Sequence, residues 1–207
     1  MADTAAPITT DLDFEREGKQ VGALKVPHAR EDSALGALLM PVTTIRNGEG
    51  PTVLLIAGAH GDEYEGPVAL MKLARDLKPE AIRGRVIIVP ALNLPALLAG
   101  RRHSPIDGKA ISSCFPGDRQ GTITQAIAAF TRDELVNRAD LVLDLQSGGR
   151  SMIFLPHVAI QRQDDPAAMA TALAAAPPSA RRSDWCVTIS TAPDRSPASS
   201  EPVPSST

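Results

Sequence analysis

Aromatic side chains are scarce in this 207-residue chain, with four Phe, one Tyr and one Trp, so a core must come mainly from Val, Leu, Ile and Ala. Two cysteines, Cys114 and Cys186, exclude a disulfide framework and a zinc ribbon. There is no excess of positive charge. The balance of 21 basic against 24 acidic side chains, net −3, excludes the basic face of a general nucleic-acid binder. No apolar run reaches the roughly 18 residues of a membrane span. The longest, Val86 to Leu98, is broken by Pro90, Asn93 and Pro95. The first residues, MADTAAPITTDLDFEREG, lack the apolar stretch of a secretion signal. These absences point to a soluble cytoplasmic protein with neither nucleic acid nor membrane as partner. What is there is ordinary for a globular chain, 43% hydrophobic and 22% charged, which excludes global disorder.

The apolar runs follow a βαβ rhythm. Between Gly18 and Arg46, GALKV and ALGALLMPVTTI read as strands of an antiparallel or edge region, and Asn47-Gly48-Glu49-Gly50-Pro51 marks a turn. Thr52 to Ala57 (TVLLIA) suits a strand buried on both faces. After the Gly-rich segment GAHGDEYEGP, a helix presents Leu70, Leu73, Ala74 and Leu77 on one face. Pro67 fits its first turn, where a missing N–H costs nothing. Val86 to Val89 and Leu141 to Leu145 are two further buried strands, the last ending in Gln146-Ser147-Gly148-Gly149. Residues 99–121 form a long irregular segment of the functional kind. Thr122 caps a helix with Ile123, Ile127 and Phe130 on one face. Residues 1–16 read as a flexible lead-in and 17–175 as the α/β domain. Residues 176–207, rich in Pro, Ser and Ala, read as a largely disordered tail in which only WCVTI suits a strand.

Sites in open α/β sheets collect beyond the carboxyl ends of the strands. His60-Gly61-Asp62-Glu63 lies there, and a spacing of three lets a turn aim imidazole and carboxylate at one point. Both are good zinc donors, and two His plus one Glu form a known catalytic set. The tetrapeptide also admits a plainer reading, with Asp62 as a helix cap and Glu63 and Glu65 as first-turn acids. Asn93 and Gln146 sit just past their strands, so three sequence-distant polar groups converge on one edge. Asp144 is a charge in an apolar run. It is either a hydrogen-bonded structural carboxylate or a partner that holds a ligand side chain. Use of Gly58-Ala59-His60-Gly61 as a nucleotide loop is weakly supported, because neither GxGxxG nor GxxxxGK[ST] occurs.

GPTVLLIAGAHGDEYEGPVAL, VIIVPALNLPA, RRHSPIDG, FPGD and LVLDLQSGG, in this order, resemble the succinylglutamate desuccinylase/aspartoacylase family, relatives of the zinc carboxypeptidases. QVGALKVPHAREDSALGALLMPVTTIRNGEGP resembles the branch containing the N-acetyl-diaminobutyrate deacetylase of ectoine breakdown. The likeness spans roughly residues 17 to 175. It implies an α/β fold with a mixed, largely parallel sheet flanked by helices. It also implies one Zn2+ per chain and hydrolysis of the amide bond of an N-acyl amino acid, the small-molecule partner. By position, His60 and Glu63 match the first two zinc ligands. Arg102 matches the binder of the substrate carboxylate, with Arg101 the alternative in a loose register. A homo-oligomer is compatible with the sequence.

The chain departs from that pattern in three places. The family's third zinc ligand, a His, is here Gln146, a neutral oxygen donor outside zinc's usual set, so weak zinc is expected. The family's substrate-binding Asn and Arg become Ser112 and Ser113. The family's C-terminal part, with a catalytic glutamate, has no match in this sequence, and loss of a general base costs about 10²- to 10⁴-fold in rate. Compensating frameshifts are the expected cause of Ala110-Ile111-Ser112-Ser113-Cys114 standing where the family carries Asn-Leu-Asn-Arg-Ala. A further shift near Ala175 accounts for the altered composition beyond it. A degraded or misread deacylase gene is therefore expected, with a catalytically inactive binding domain on the same fold as the alternative; resequencing the locus tests this.

Overall fold

The structure, a computed structural model, describes residues 7–29, 36–155, 157–162, 164–176 and 185–191. Thr52–Ala57 forms β4, with Leu54 and Ile56 on one face and Leu55 and Ala57 on the other, all against apolar neighbours. Parallel partners flank it. Gly84–Val89 (β5) pairs on one side and Leu141–Ser147 (β6) on the other. An antiparallel wing of Thr9–Thr10 (β1), Gly18–Pro27 (β2) and Ala37–Asn47 (β3) extends beyond β5. Beyond β6, Trp185–Thr191 (β8) pairs antiparallel with β6, and His157–Ile160 (β7) pairs parallel with β8. Among the described residues the sheet order is β1-β2-β3-β5-β4-β6-β8-β7.

Helices cover both faces, as buried parallel strands require. Glu65–Asp76 (α1) places Leu70 against Ala57, Ile45 and Ile88, with Leu73, Ala74 and Leu77 alongside. On the opposite face Ile127 and Ala128 of Ile123–Phe130 (α3) join Leu54, Ile56 and Val142. The expected helices at these two places are thus present. Leu94–Ala99 (α2) is an additional helix that the two prolines and Asn93 concealed. Asn93 is its N-cap, Pro95 lies in its first turn, and Gly100 at φ +59° ends it in the left-handed region. Pro166–Ala175 (α4) starts on Asp165, whose carboxylate accepts from the Ala167 and Ala168 amides at 3.1 and 3.3 Å.

Two expectations need correction. Residues 7–16 are not a flexible lead-in. Thr9 and Thr10 pair with Lys25 and Leu24, Phe14 is buried in the main core under the Arg138 guanidinium, and Glu15 bonds Arg46 at 2.6 Å and also Arg85. Polar local composition hid these partners, which lie far along the chain. Gln146 is not past its strand but within it, opposite Cys186, because β8 extends the ladder through Ser147. In the tail, the strand expected at WCVTI is present as Trp185–Thr191, with Ile189 buried. Residues 177–184 and 192–207, on which the rest of that expectation falls, lie outside the described residues. Among the described residues no helix is long and apolar enough to cross a membrane.

Candidate functional site

The loop after β4 is held tightly enough to fix side chains. The Leu92 and Asn93 amides donate to the carbonyls of Ala57 and Gly58, both at 2.9 Å, and the Gly61 amide donates to the Arg101 carbonyl at 3.0 Å. Gly61 lies so close to α2 that a Cβ there would sit 2.0 Å from the Ala96 carbonyl carbon. Only glycine allows that approach. The next turn then brings His60 Nδ1 to 2.7 Å from Glu63 Oε1, with the two residues 1% and 5% exposed. Glu63 Oε2 accepts the Ser147 amide of β6 at 3.0 Å. The expected convergence of imidazole and carboxylate is therefore present, and the sheet itself braces it.

β6 supplies the other wall. Alternation along a strand puts Val142, Asp144 and Gln146 on one face, and all three are buried. Gln146 Nε2 donates to Asp144 Oδ2 at 2.7 Å. Burial pushes the Asp144 carboxyl up to about 6. The Gln146 amide opposes that rise, Glu63 adds to it and His60 opposes it, so all three act on Asp144. Of the two readings left open for Asp144, the hydrogen-bonded carboxylate is present, and its partner is Gln146. Four buried polar atoms of this region have no protein hydrogen-bond partner among the described residues: His60 Nε2, Asp62 Oδ1, Asn93 Nδ2 and Asp144 Oδ1. Buried polar groups are seldom left so, and their clustering at one sheet edge is the signature of a site that takes something from outside the chain.

The remaining candidates stand apart. Arg101 and Arg102 are exposed, and their guanidinium groups have no ion pair among the described residues. The backbone of Arg101 is tied to the site through Gly61. Ser113 spends its hydroxyl on the Ala110 carbonyl at 2.9 Å, closing the short turn Ile111–Ser113. No hydrogen bond joins Ser112 or Ser113 to the His60 cluster among the described residues. Ile111 instead anchors the turn in the core. Sequence reasoning missed Ser147, whose amide holds Glu63 and whose hydroxyl donates to Glu65 at 2.5 Å. It also missed Arg150, which donates to the Tyr64 hydroxyl at 3.2 Å across Gly100. Ser147 directly follows Gln146 at the end of the same strand, and Arg150 lies in the turn just beyond it, which was the available signal.

The family of the resemblance implies a zinc ion, and the donor set can be tested against it. His60 and Glu63 fit, offering a nitrogen and an anionic oxygen side by side. Gln146 does not, since zinc draws its ligands from Cys, His and carboxylates. Consistently, no cluster of three or more His, Cys, Asp or Glu suited to a metal occurs among the described residues.

Residues 49–183 match the model of the succinylglutamate desuccinylase/aspartoacylase catalytic domain. The chain is 50% identical over 160 residues to the N-alpha-acetyl-L-2,4-diaminobutyric acid deacetylase of Halomonas elongata, covering 77% of this chain and 47% of that protein. A crystal structure of a succinylglutamate desuccinylase/aspartoacylase from Rhodobacter sphaeroides superposes with a TM-score of 0.78 at 44% identity, over 83% of this chain and 52% of that one. The product-bound ectoine utilization protein EutE (DoeB) of Ruegeria pomeroyi gives 0.78 at 39% identity, over 89% and 62%. The chain thus spans about half the length of these relatives.

Proposed function

The chain belongs to the succinylglutamate desuccinylase/aspartoacylase family, and from that premise we propose that its site is organised for zinc-assisted hydrolysis of the amide bond of an N-acylated amino acid in the cytoplasm, with N-acetyl-diaminobutyrate the foremost candidate. The observation that supports this most directly is the 2.7 Å approach of His60 to Glu63 at the carboxyl edge of β4, with Gln146 and Asp144 in electrostatic reach. In this reading His60 and Glu63 would hold a zinc ion, which would supply Lewis-acid chemistry for amide hydrolysis. The chain's own groups do the positioning. The Ser147 amide fixes the Glu63 carboxylate. Arg102, or Arg101 beside it, would pair its guanidinium with the substrate carboxylate, a bidentate contact that fixes the orientation of the ligand.

A second reading, a binding domain without turnover, is favoured by Gln146, which replaces an imidazole at the third ligand position. Zinc affinity and acetate release from N-acetyl-diaminobutyrate distinguish the two when compared in the unaltered chain, Gln146→His and His60→Ala. The expected outcome is weak zinc in the unaltered chain, at least tenfold tighter zinc in Gln146→His, and loss of both zinc and any turnover in His60→Ala. Tighter zinc with acetate release still missing in Gln146→His supports the binding domain. Zinc binding indifferent to His60→Ala overturns the hydrolase reading.

A further inference from the structure

The segment that follows Gln146 runs alongside the loop that carries Glu63. The Ser147 amide donates to Glu63 and its hydroxyl to Glu65. Gly149, at φ +59°, lies against the Asp62 carboxylate, where a Cβ would sit 2.8 Å from Oδ2. Arg150 then donates from Nη2 to the Tyr64 hydroxyl at 3.2 Å. Both groups lie over Gly100, where a Cβ would come within 2.7 Å of the Tyr64 oxygen and 2.9 Å of Arg150 Nη2. Arg101 and Arg102 are the next two residues, so Arg150 meets the loop that carries them at its start. Elsewhere in the chain Arg46, Arg85, Arg119, Arg132 and Arg138 each have an acidic partner. Arg150 has none among the described residues, although three carboxylates stand on the facing segment. Glu63 and Glu65 are bonded to Ser147, and Asp62 makes no bond to Arg150.

A guanidinium carries several N–H donors, and Tyr64 occupies one of them. By accepting there, the Tyr64 hydroxyl keeps its own hydrogen free to donate. Two donors stand side by side, one of them charged, with no anion of the chain to serve. We propose that Arg150 and the Tyr64 hydroxyl bind the carboxylate of the ligand beside the His60–Glu63 turn, as a second contact next to the Arg102 or Arg101 guanidinium. The inference rests on the reading of the ligand as an N-acyl amino acid, and it makes Arg150 a specificity-determining residue. A carboxylate has two oxygens with several lone-pair directions, so a bidentate arginine on one edge leaves room for further donors. The bond to Tyr64 holds Arg150 in place before the ligand arrives, which lowers the ordering cost of binding.

The test is isothermal titration calorimetry with N-acetyl-diaminobutyrate and with its carboxamide, at low ionic strength because salt screens exposed charges. The chains are the unaltered protein, Arg150→Ala, Arg150→Lys and Tyr64→Phe, each checked for native circular dichroism. The unaltered chain is expected to bind the acid more tightly than the amide. Arg150→Ala is expected to weaken the acid about tenfold or more and to leave the amide within about twofold. Arg150→Lys should recover part of the loss, since an ammonium keeps the charge but lacks the planar fork. Tyr64→Phe should weaken the acid about threefold, through a lost donor and an untethered Arg150. An unchanged acid in Arg150→Ala, or equal losses for acid and amide, overturns the proposal and leaves the hydrolase reading standing on His60 and Arg102. Equal binding of the two ligands by the unaltered chain, or binding of neither, overturns the proposal together with the carboxylate recognition assigned to Arg102.

Discussion

His60 and Glu63, in the loop after β4, are buried and bonded to each other and to the backbone of β6, whereas Arg101 and Arg102, in the loop after α2, project from exposed positions with no ion pair among the described residues. The first loop borrows its rigidity from the parallel centre of the sheet. The Ser147 amide of β6 holds Glu63, and the Arg101 carbonyl holds the Gly61 amide. The second spans a long irregular stretch whose polar groups serve mainly their own turns, such as Ser113 on Ala110 and the Gly108 amide on Ser104. A loop on the sheet edge can carry preorganised chemistry with few residues, because strand geometry does the positioning. A long loop must build its own scaffold before it can position a substrate. The departures at Ser112 and Ser113 lie in the second loop, where local turn geometry absorbs them, and the departure at Gln146 is absorbed by Asp144.

The largest test of this contrast is the joint between the loops. Gly61 donates its amide to the Arg101 carbonyl and approaches Ala96 so closely that an added Cβ would lie 2.0 Å from backbone carbon and oxygen alike. Backbone atoms of a packed helix cannot step aside as a flexible side chain would. Gly61→Ala is therefore expected to cost about 3 kcal/mol or more, read from urea unfolding, and to free both loops at once. A change under about 1 kcal/mol would mean that the loops are not packed together in this way.

The same contrast decides what was legible in the sequence. Thr52–Ala57, the Leu70–Leu77 stripe and the spacing of His60 and Glu63 are local patterns, and each signals its element within one window of residues. Phe14 and Glu15 gave no such signal, because what holds them is Arg138, Arg46 and Arg85, which lie far along the chain. Nor did β8 announce that it enters between β6 and β7, since antiparallel insertion depends on partners and not on its own seven residues. Gln146 was identifiable as a departure from a family pattern. That Asp144 would take its amide nitrogen was not, because residues two apart share a face of a strand but only coordinates give the rotamers.

A smaller effect is expected where the long loop does find an anchor. Asp107 accepts the Thr124 amide at 2.9 Å and the Thr124 hydroxyl at 2.8 Å, capping α3 from outside the helix. Burial alone would raise this carboxyl, but the Thr124 bonds, together with those from Thr122 and the Lys109 amide, outweigh burial and hold it below the usual carboxylate range. A depressed carboxylate contributes stability that is present above the unfolded value of about 3.9 and is lost as pH falls through the folded one. Asp107→Ala should cost about 1 kcal/mol at neutral pH, less to the extent that solvent screens a partly exposed group. The gap between variant and parent should close as pH drops below about 3.9. Urea melts at pH 7 and at pH 3 check both the size and the sign. A gap that widens in acid would exclude the cap.

The smallest effect on folding belongs to Arg102. It is exposed and has no ion pair among the described residues, so Arg102→Ala should leave stability within about 0.5 kcal/mol. A side chain the fold does not need can still be one the ligand needs. If its guanidinium meets the substrate carboxylate, the variant should weaken binding of an N-acyl amino acid, whereas an analogue with that carboxylate capped as an amide should bind both chains alike. Arg101→Ala, run beside it, settles the register, because only one of the two neighbours can take the bidentate position. Loss of binding for the charged and the capped ligand together would place the effect on loop structure instead. The long loop would then depend on its own side chains as strongly as the loop after β4 depends on the sheet, and the contrast between them would fail.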